Sequence, residues 1–147
     1  KVDIVANGDN LPFKDEEWDF VISSHVIEHF FDPVKAIEEW LRVTKRGGHV
    51  FIIAPLQHAL ATETRPCTKL QEIIDRHDGK IKPENVIMEG GHQNSSITGL
   101  LLNEHGHWSV WNLTDFLDIF KHYKWKTVEA LERDDKVGNG FCVIINK

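Results

Sequence analysis

Basic residues are in short supply in this 147-residue sequence: 17 Lys and Arg stand against 23 Asp and Glu, for a net charge of -6 at pH 7 and an isoelectric point near 5.8. Non-specific affinity for nucleic acid depends on Lys and Arg neutralising phosphates, so the balance argues against a nucleic-acid partner. Cysteine is also scarce. Cys67 and Cys142 are far apart and form no C-x-x-C pair, and Cys142 lies in an apolar run, where a free thiol behaves as a small hydrophobe. A reducing cytoplasm is the expected setting. Long apolar runs are missing too: "HVFIIAP" (49–55) falls far short of the roughly 20 residues a membrane helix needs, so no membrane partner is expected. There is no charged-then-apolar leader, no repeat and no low-complexity tract. What is present, 41% hydrophobic and 27% charged residues, suits a single globular domain.

The first residue is Lys rather than Met, and "VDIVA" (2–6) alternates like a strand from the first positions, as in the middle of a domain. Asn7-Gly8 then signals a turn. "WDFVISS" (18–24) is apolar on both faces, which predicts a strand covered on two sides in a parallel sheet. Asp32 is placed to cap a helix with Pro33 at its first position, and Val34, Ile37, Trp40 and Leu41 fall on one face of that helix. Gly47-Gly48 is the expected stop, and "HVFIIAP" the next strand, so strand, helix and strand make a parallel crossover. Between residues 56 and 111 the patterning weakens into a loop-rich region with one short helix around "CTKLQEIIDRH". Asn112 then caps a helix carrying Leu113, Phe116, Leu117 and Phe120, and "KTVEALER" and "GFCVIINK" end the chain as an antiparallel pair.

"SSHVIEHFFDP" (23–33) contains His25, Glu28 and His29 in the order H-x-x-E-H, a spacing found in zinc peptidases. For His25 and His29 to share an ion they must sit on one face of a regular helix. Strand text ends near Ser24 and a separate helix starts at Asp32-Pro33, leaving too little room. Zinc hydrolysis is therefore disfavoured, and a strand-end turn with polar residues facing a cleft is the simpler expectation.

Taken together, residues 7–55 resemble the middle of a class I S-adenosylmethionine-dependent methyltransferase of the small-molecule kind called methyltransferase type 11. An acidic turn before "LPF", the strand "WDFV", "HVIEH", the "DP" helix start, "RVTKRGG" and a strand closing on Pro55 follow in one frame. The resemblance implies a Rossmann-like α/β fold whose sheet order is 3-2-1-4-5-7-6, mostly parallel with a carboxy-terminal antiparallel hairpin. It implies S-adenosylmethionine as cofactor. Asn7, Gly8, Asp9 and Asn10 would lie against the adenine, with Asn7 where the family often has Asp. Ser23, Ser24 and His25 would line the methionine portion, at the carboxyl end of a strand where ligands of open α/β sheets collect. His29 is the candidate general base, since an imidazole titrates near neutrality, and a structural role for Glu28 is as well supported as a functional one. Some related O-methyltransferases hold a divalent metal at the equivalent Glu-His pair; His25 stands where a third-ligand carboxylate is expected, so no metal is assigned from the sequence.

The family's Gly-rich cofactor loop and its first two strands have no counterpart in residues 1–147, and Gly47-Gly48 and Gly90-Gly91 cannot substitute. The expectation is a partial methyltransferase domain starting at the family's third strand, inactive alone, and able to dimerise through an exposed sheet edge. "HGHWSVWNLTDFLDIFKHYKW" (105–125) resembles the family's acceptor side in enzymes acting on saccharides. It makes His58, His107 and Trp108 candidates for binding a small acceptor; cover for the core explains Trp108 and Trp111 equally well. The alternative function is a non-catalytic binding or scaffold domain of the same shape.

Overall fold

The computed structural model describes residues 3–57, 64–86, 106–135 and 138–147. Four strands form one sheet: β1 (Trp18–Ser24), β2 (Thr44–Pro55), β3 (Lys126–Leu131) and β4 (Gly140–Asn146). Their order is β1-β2-β4-β3. β1 pairs parallel to β2, while β4 runs antiparallel to both β2 and β3. This is the 4-5-7-6 part of the order the resemblance implied. The Rossmann-like α/β reading therefore holds, with the antiparallel hairpin at the carboxyl end.

Helix α1 (Pro33–Val43) begins as the sequence dictates: the Asp32 side chain accepts from the Lys35 N–H and Pro33 occupies the first turn. Val34, Ala36, Ile37, Trp40 and Val43 are buried along one stripe, at the three- and four-residue spacing that puts them on one helical face. The helix ends at Val43, before Gly47-Gly48. The Thr44 N–H bonds Trp40 O, and the Thr44 hydroxyl donates to the same carbonyl at 2.7 Å, so the last turn is satisfied locally. β2 starts there and runs through both glycines. Gly47 takes the left-handed φ of +79°, and a Cβ on Gly48 would lie 2.5 Å from Asp19 O. Gly48 thus serves the approach of β1 to β2 and Gly47 a left-handed backbone position, and neither stops the helix.

Helix α2 (Leu70–His77) touches both α1 and α3 (Leu113–Tyr123), while α1 packs on β2 and α3 on β3. Val50, Ile52 and Ala54 of β2 and Phe141, Val143 and Ile145 of β4 are buried under these helices. An aromatic cluster fills the centre, with the Phe116 ring 5.0 Å from Trp111 and Phe120 and 5.2 Å from Phe141. The α3 cap also matches the sequence, since Asn112 Oδ1 accepts from the Asp115 N–H at 2.9 Å.

Two further sequence expectations fail. Residues 3–6 form no strand: Ile4 and Val5 are 51% and 93% exposed, because no described strand lies beside them to supply ladder hydrogen bonds. β1 is covered on one face only. Phe20 and Ile22 are exposed on the other, since the described helices all gather on the opposite side of the sheet. The outer edge of β1 has no partner among the described residues.

Ile37, fully buried between α1 and the sheet, should lose about 2–5 kcal/mol of stability as Ile37→Ala, read by urea unfolding. Val5→Ala should change it by less than about 0.5 kcal/mol. Equal effects at the two positions would contradict the core described here.

Candidate functional site

The site is built where β1 ends. His25 follows Ser24 in the left-handed region at φ +52°, with its N–H bonded to Ile53 O at 2.9 Å, so the chain turns sharply off the strand. A single 3-10 turn, Ile27–His29, comes next. His25 and His29 therefore share no regular helix, which removes the geometry that a zinc peptidase H-x-x-E-H needs.

A distant segment closes on this turn. The Trp108 N–H donates to Glu28 O at 2.8 Å, and His29 Nδ1 lies 3.1 Å from Gly106 O, 77 residues away in sequence. A carbonyl only accepts, so Nδ1 carries a proton, and in the neutral ring the lone pair is on Nε2. Nε2 lies 3.7 Å from Glu28 Oε1, and the His107 ring sits edge-on to His29 with centroids 5.0 Å apart. Glu28 and His107 are 1% and 4% exposed. Oε2 of Glu28 has no hydrogen-bond partner among the described residues, and burial pushes its carboxyl up to about 7. The structure thus joins two predicted residues, His29 and His107, through a third, Glu28, whose burial the sequence left undecided.

Arg76 fastens this arrangement. Its guanidinium, 3% exposed, donates to Ser109 Oγ at 3.0 Å, Trp108 O at 3.1 Å and Phe31 O at 3.4 Å, and pairs with Glu72 one helical turn earlier. Sequence reasoning missed Arg76. Its i,i+4 spacing from Glu72 was a visible signal for the pair, whereas its carbonyl partners lie 32 to 45 residues away.

The predicted cofactor turn lies on the opposite flank. The Asn10 N–H closes on Asn7 O at 3.0 Å, Trp40 Nε1 donates to Gly8 O at 2.8 Å, and Lys35 Nζ bonds Asp9 Oδ2 at 2.9 Å. A Cβ on Gly8 would lie 2.7 Å from Phe30 Cζ. Phe30 directly follows His29, so residues 7–10 and the 3-10 turn share one rim. Arg42 holds the next residues down, donating to Leu11 O, Phe13 O and Glu39. The same guanidinium keeps the Glu39 carboxyl below its ordinary range. Ser23 is 6% exposed with its hydroxyl unpartnered among the described residues, while Ser24 is exposed. An orphaned hydroxyl at the carboxyl end of a parallel strand and an exposed turn braced beside it fit a ligand lying across the strand ends.

Trp108 packs edge-on to Phe31 at 5.4 Å and lines a cavity of about 600 Å³ together with Arg65, Cys67, Lys69, Arg76 and Val110. Trp111 is 1% exposed in the Phe116 cluster, so the two tryptophans divide between cavity and core. His58 lies outside the described residues. No helix among the described residues is long and apolar enough to cross a membrane.

Residues 2–52 match the methyltransferase domain family. An uncharacterized protein of Methanocaldococcus jannaschii is 53% identical over 49 residues, 33% of this chain and 24% of that one. A demethylmenaquinone methyltransferase of Paenarthrobacter aurescens is 39% identical over 66 residues, 41% of this chain and 26% of that one. The chain thus spans about a quarter of the length of these relatives. Among solved structures, a SAM-dependent methyltransferase of Methanosarcina mazei superposes with a TM-score of 0.55 at 16% identity, over 98% of this chain and 66% of that one. The PH0226 protein of Pyrococcus horikoshii gives 0.52 at 22% identity, over 97% and 57%. These two share the fold.

Glu28 generates a pH prediction. Its folded-state pKa is raised from 4.5 to about 7, so its contribution is complete below pH 4.5, where both states are protonated, and is lost as pH rises through 7. The loss is on the order of 3 kcal/mol. In EDTA-containing buffer, Glu28→Gln should therefore gain stability relative to the unsubstituted protein between pH 4.5 and 8. A difference that does not change with pH would contradict the buried carboxyl.

Proposed function

We propose that this chain, whose residues 2–52 match the methyltransferase domain family, forms the acceptor side of a class I S-adenosylmethionine-dependent enzyme that methylates an oxygen or nitrogen of a small molecule. The observation that best supports this is the anchored imidazole of His29, held by Gly106 O at the carboxyl end of β1 beside the turn at residues 7–10. S-adenosylmethionine supplies the methyl group, as a sulfonium. The adenine end would rest on Asn7, Gly8, Asp9 and Asn10, and the methionine end against Ser23, Ser24 and His25. His29 Nε2 takes the acceptor's proton, a role that contributes about 10²–10⁴-fold. Holding the nucleophile in line supplies most of the remaining acceleration.

The acceptor we propose is saccharide-like. Trp108 at the cavity wall offers an aromatic face of the kind that packs on sugar rings, and Arg65 and Lys69 beside it offer donors to hydroxyls. Pairing of two chains through the unpartnered edge of β1 belongs to the same proposal. With no Gly-rich loop in its 147 residues, the chain alone should bind the cofactor weakly and transfer nothing. The second reading is a non-catalytic binding or scaffold domain of this shape.

Calorimetry with S-adenosylhomocysteine separates the two readings. Binding by the chain together with any residues its gene encodes upstream, weakened about tenfold by Asn7→Ala, is the result expected. No binding by that longer chain leaves the scaffold reading. In the active form, His29→Ala should lower kcat by about 10²-fold or more with S-adenosylhomocysteine affinity unchanged.

A further inference from the structure

The cavity beside Trp108 is positively charged in a chain whose net charge is -6. Arg65, Lys69 and Arg76 line it against a single carboxylate, Glu72, so two positive charges are in excess there. Neutral hydroxyls need no such excess. We propose that the acceptor carries a phosphate group and that Arg65, Lys69 and the start of α2 hold it, an inference that rests on the reading of this cavity as the acceptor's.

Arg76 supplies the first support. Its side chain is 1% exposed, and its Nε has no hydrogen-bond partner among the described residues. Burial, with the charge of Arg65 adding to it, pushes the guanidinium below its ordinary range against the pull of Glu72. Two like charges thus meet at one wall of the cavity, and a bound anion offsets their repulsion. Glu72 is already matched, being paired with Arg76.

Helix α2 supplies the second. Its N-cap is Lys69, which makes no side-chain cap bond, and Thr68, Lys69 and Glu72 all line the cavity. The positive end of the helix therefore lies at the same wall as the cations, an arrangement suited to anions. A phosphate monoester fits it better than a carboxylate does. Its charge of about -1.5 to -2 at neutral pH matches the excess, and its three oxygens accept from donors in several directions. A volume of about 600 Å³ is that of a small-molecule site and leaves room for a sugar ring against Trp108.

The test is titration with glucose 1-phosphate, glucose, glucuronate and inorganic phosphate, read by calorimetry and by proton–nitrogen spectra. It is run on this chain and on the chain extended by any residues its gene encodes upstream. Glucose 1-phosphate should bind at least tenfold more tightly than glucose, shift the Trp108 indole and the amides of residues 68–72, and be displaced by inorganic phosphate. Arg65→Gln and Lys69→Gln should each weaken it about tenfold, while Lys80→Gln, beyond the other end of α2, leaves it unchanged. Lys69 is exposed, so Lys69→Gln should keep the fold, as circular dichroism will show. If that variant folds and binds glucose 1-phosphate undiminished, the proposal is overturned. Equal binding of glucose and glucose 1-phosphate, or no binding of either phosphate compound, overturns it too, and tighter binding of glucuronate replaces the phosphate with a carboxylate. S-adenosylhomocysteine reports on methyl transfer separately. A longer chain that binds glucose 1-phosphate but not S-adenosylhomocysteine keeps the phosphate cavity and loses methyl transfer; the opposite result removes the phosphate alone.

Discussion

A buried guanidinium holds residues 106–109 against the 3-10 turn. Residues 106–109 lie on the 3-10 turn without belonging to any helix or strand, so their backbone groups need partners from elsewhere. Arg76 supplies donors to Trp108 O, Ser109 Oγ and Phe31 O from a position almost closed to solvent. Removing such a charge from water is expensive unless every donor has work to do. Glu72, Ser109 and the carbonyls compensate the two terminal nitrogens, the ring of Phe31 lies 5.3 Å from the cation, and only Nε has no partner among the described residues. The position of His107 against His29 follows from this anchoring, because Gly106 and Trp108 on either side of His107 are both bonded to the turn.

The flank that carries residues 7–10 uses the same device at lower burial. Arg42 gathers Leu11 O, Phe13 O, Asp15 and Glu39, which pins the segment following the turn at residues 7–10 to α1. Exposed pairs of this kind are individually weak. Here the bidentate contact with Glu39, combined with two backbone carbonyls, gives it directional value that an isolated ion pair lacks. Trp40 and Phe30 complete the seat for Gly8. Residues 106–109 thus hang from the short stretch between β1 and α1, and residues 8–15 chiefly from α1 itself.

What the sequence revealed was local or periodic. Asp32-Pro33 and Asn112 marked helix starts that the structure confirms, because a cap is satisfied within a few residues of itself. The β1-α1-β2 crossover and the final hairpin followed from hydrophobic period and turn residues. The failures were all non-local. Residues 2–6 have a strand's alternation, yet those described, 3–6, have no strand to pair with. "WDFVISS" is apolar on both faces, yet only one is covered, and no pattern within seven residues encodes where the helices gather. Likewise Glu28, His29 and His107 meet only through chain closure over many tens of residues. His29 and His107 were each singled out from sequence, but their contact, and the part Arg76 plays in it, were not visible there.

The tautomer of His29 tests this arrangement most directly. In long-range proton–nitrogen spectra of the chelator-treated protein above pH 8, the neutral ring should carry its proton on Nδ1, donated to Gly106 O, with Nε2 unprotonated and facing Glu28. A neutral ring protonated at Nε2 would mean that residues 106–108 do not close on the turn as described, and neither His29 as a base nor its placement between Glu28 and His107 would stand.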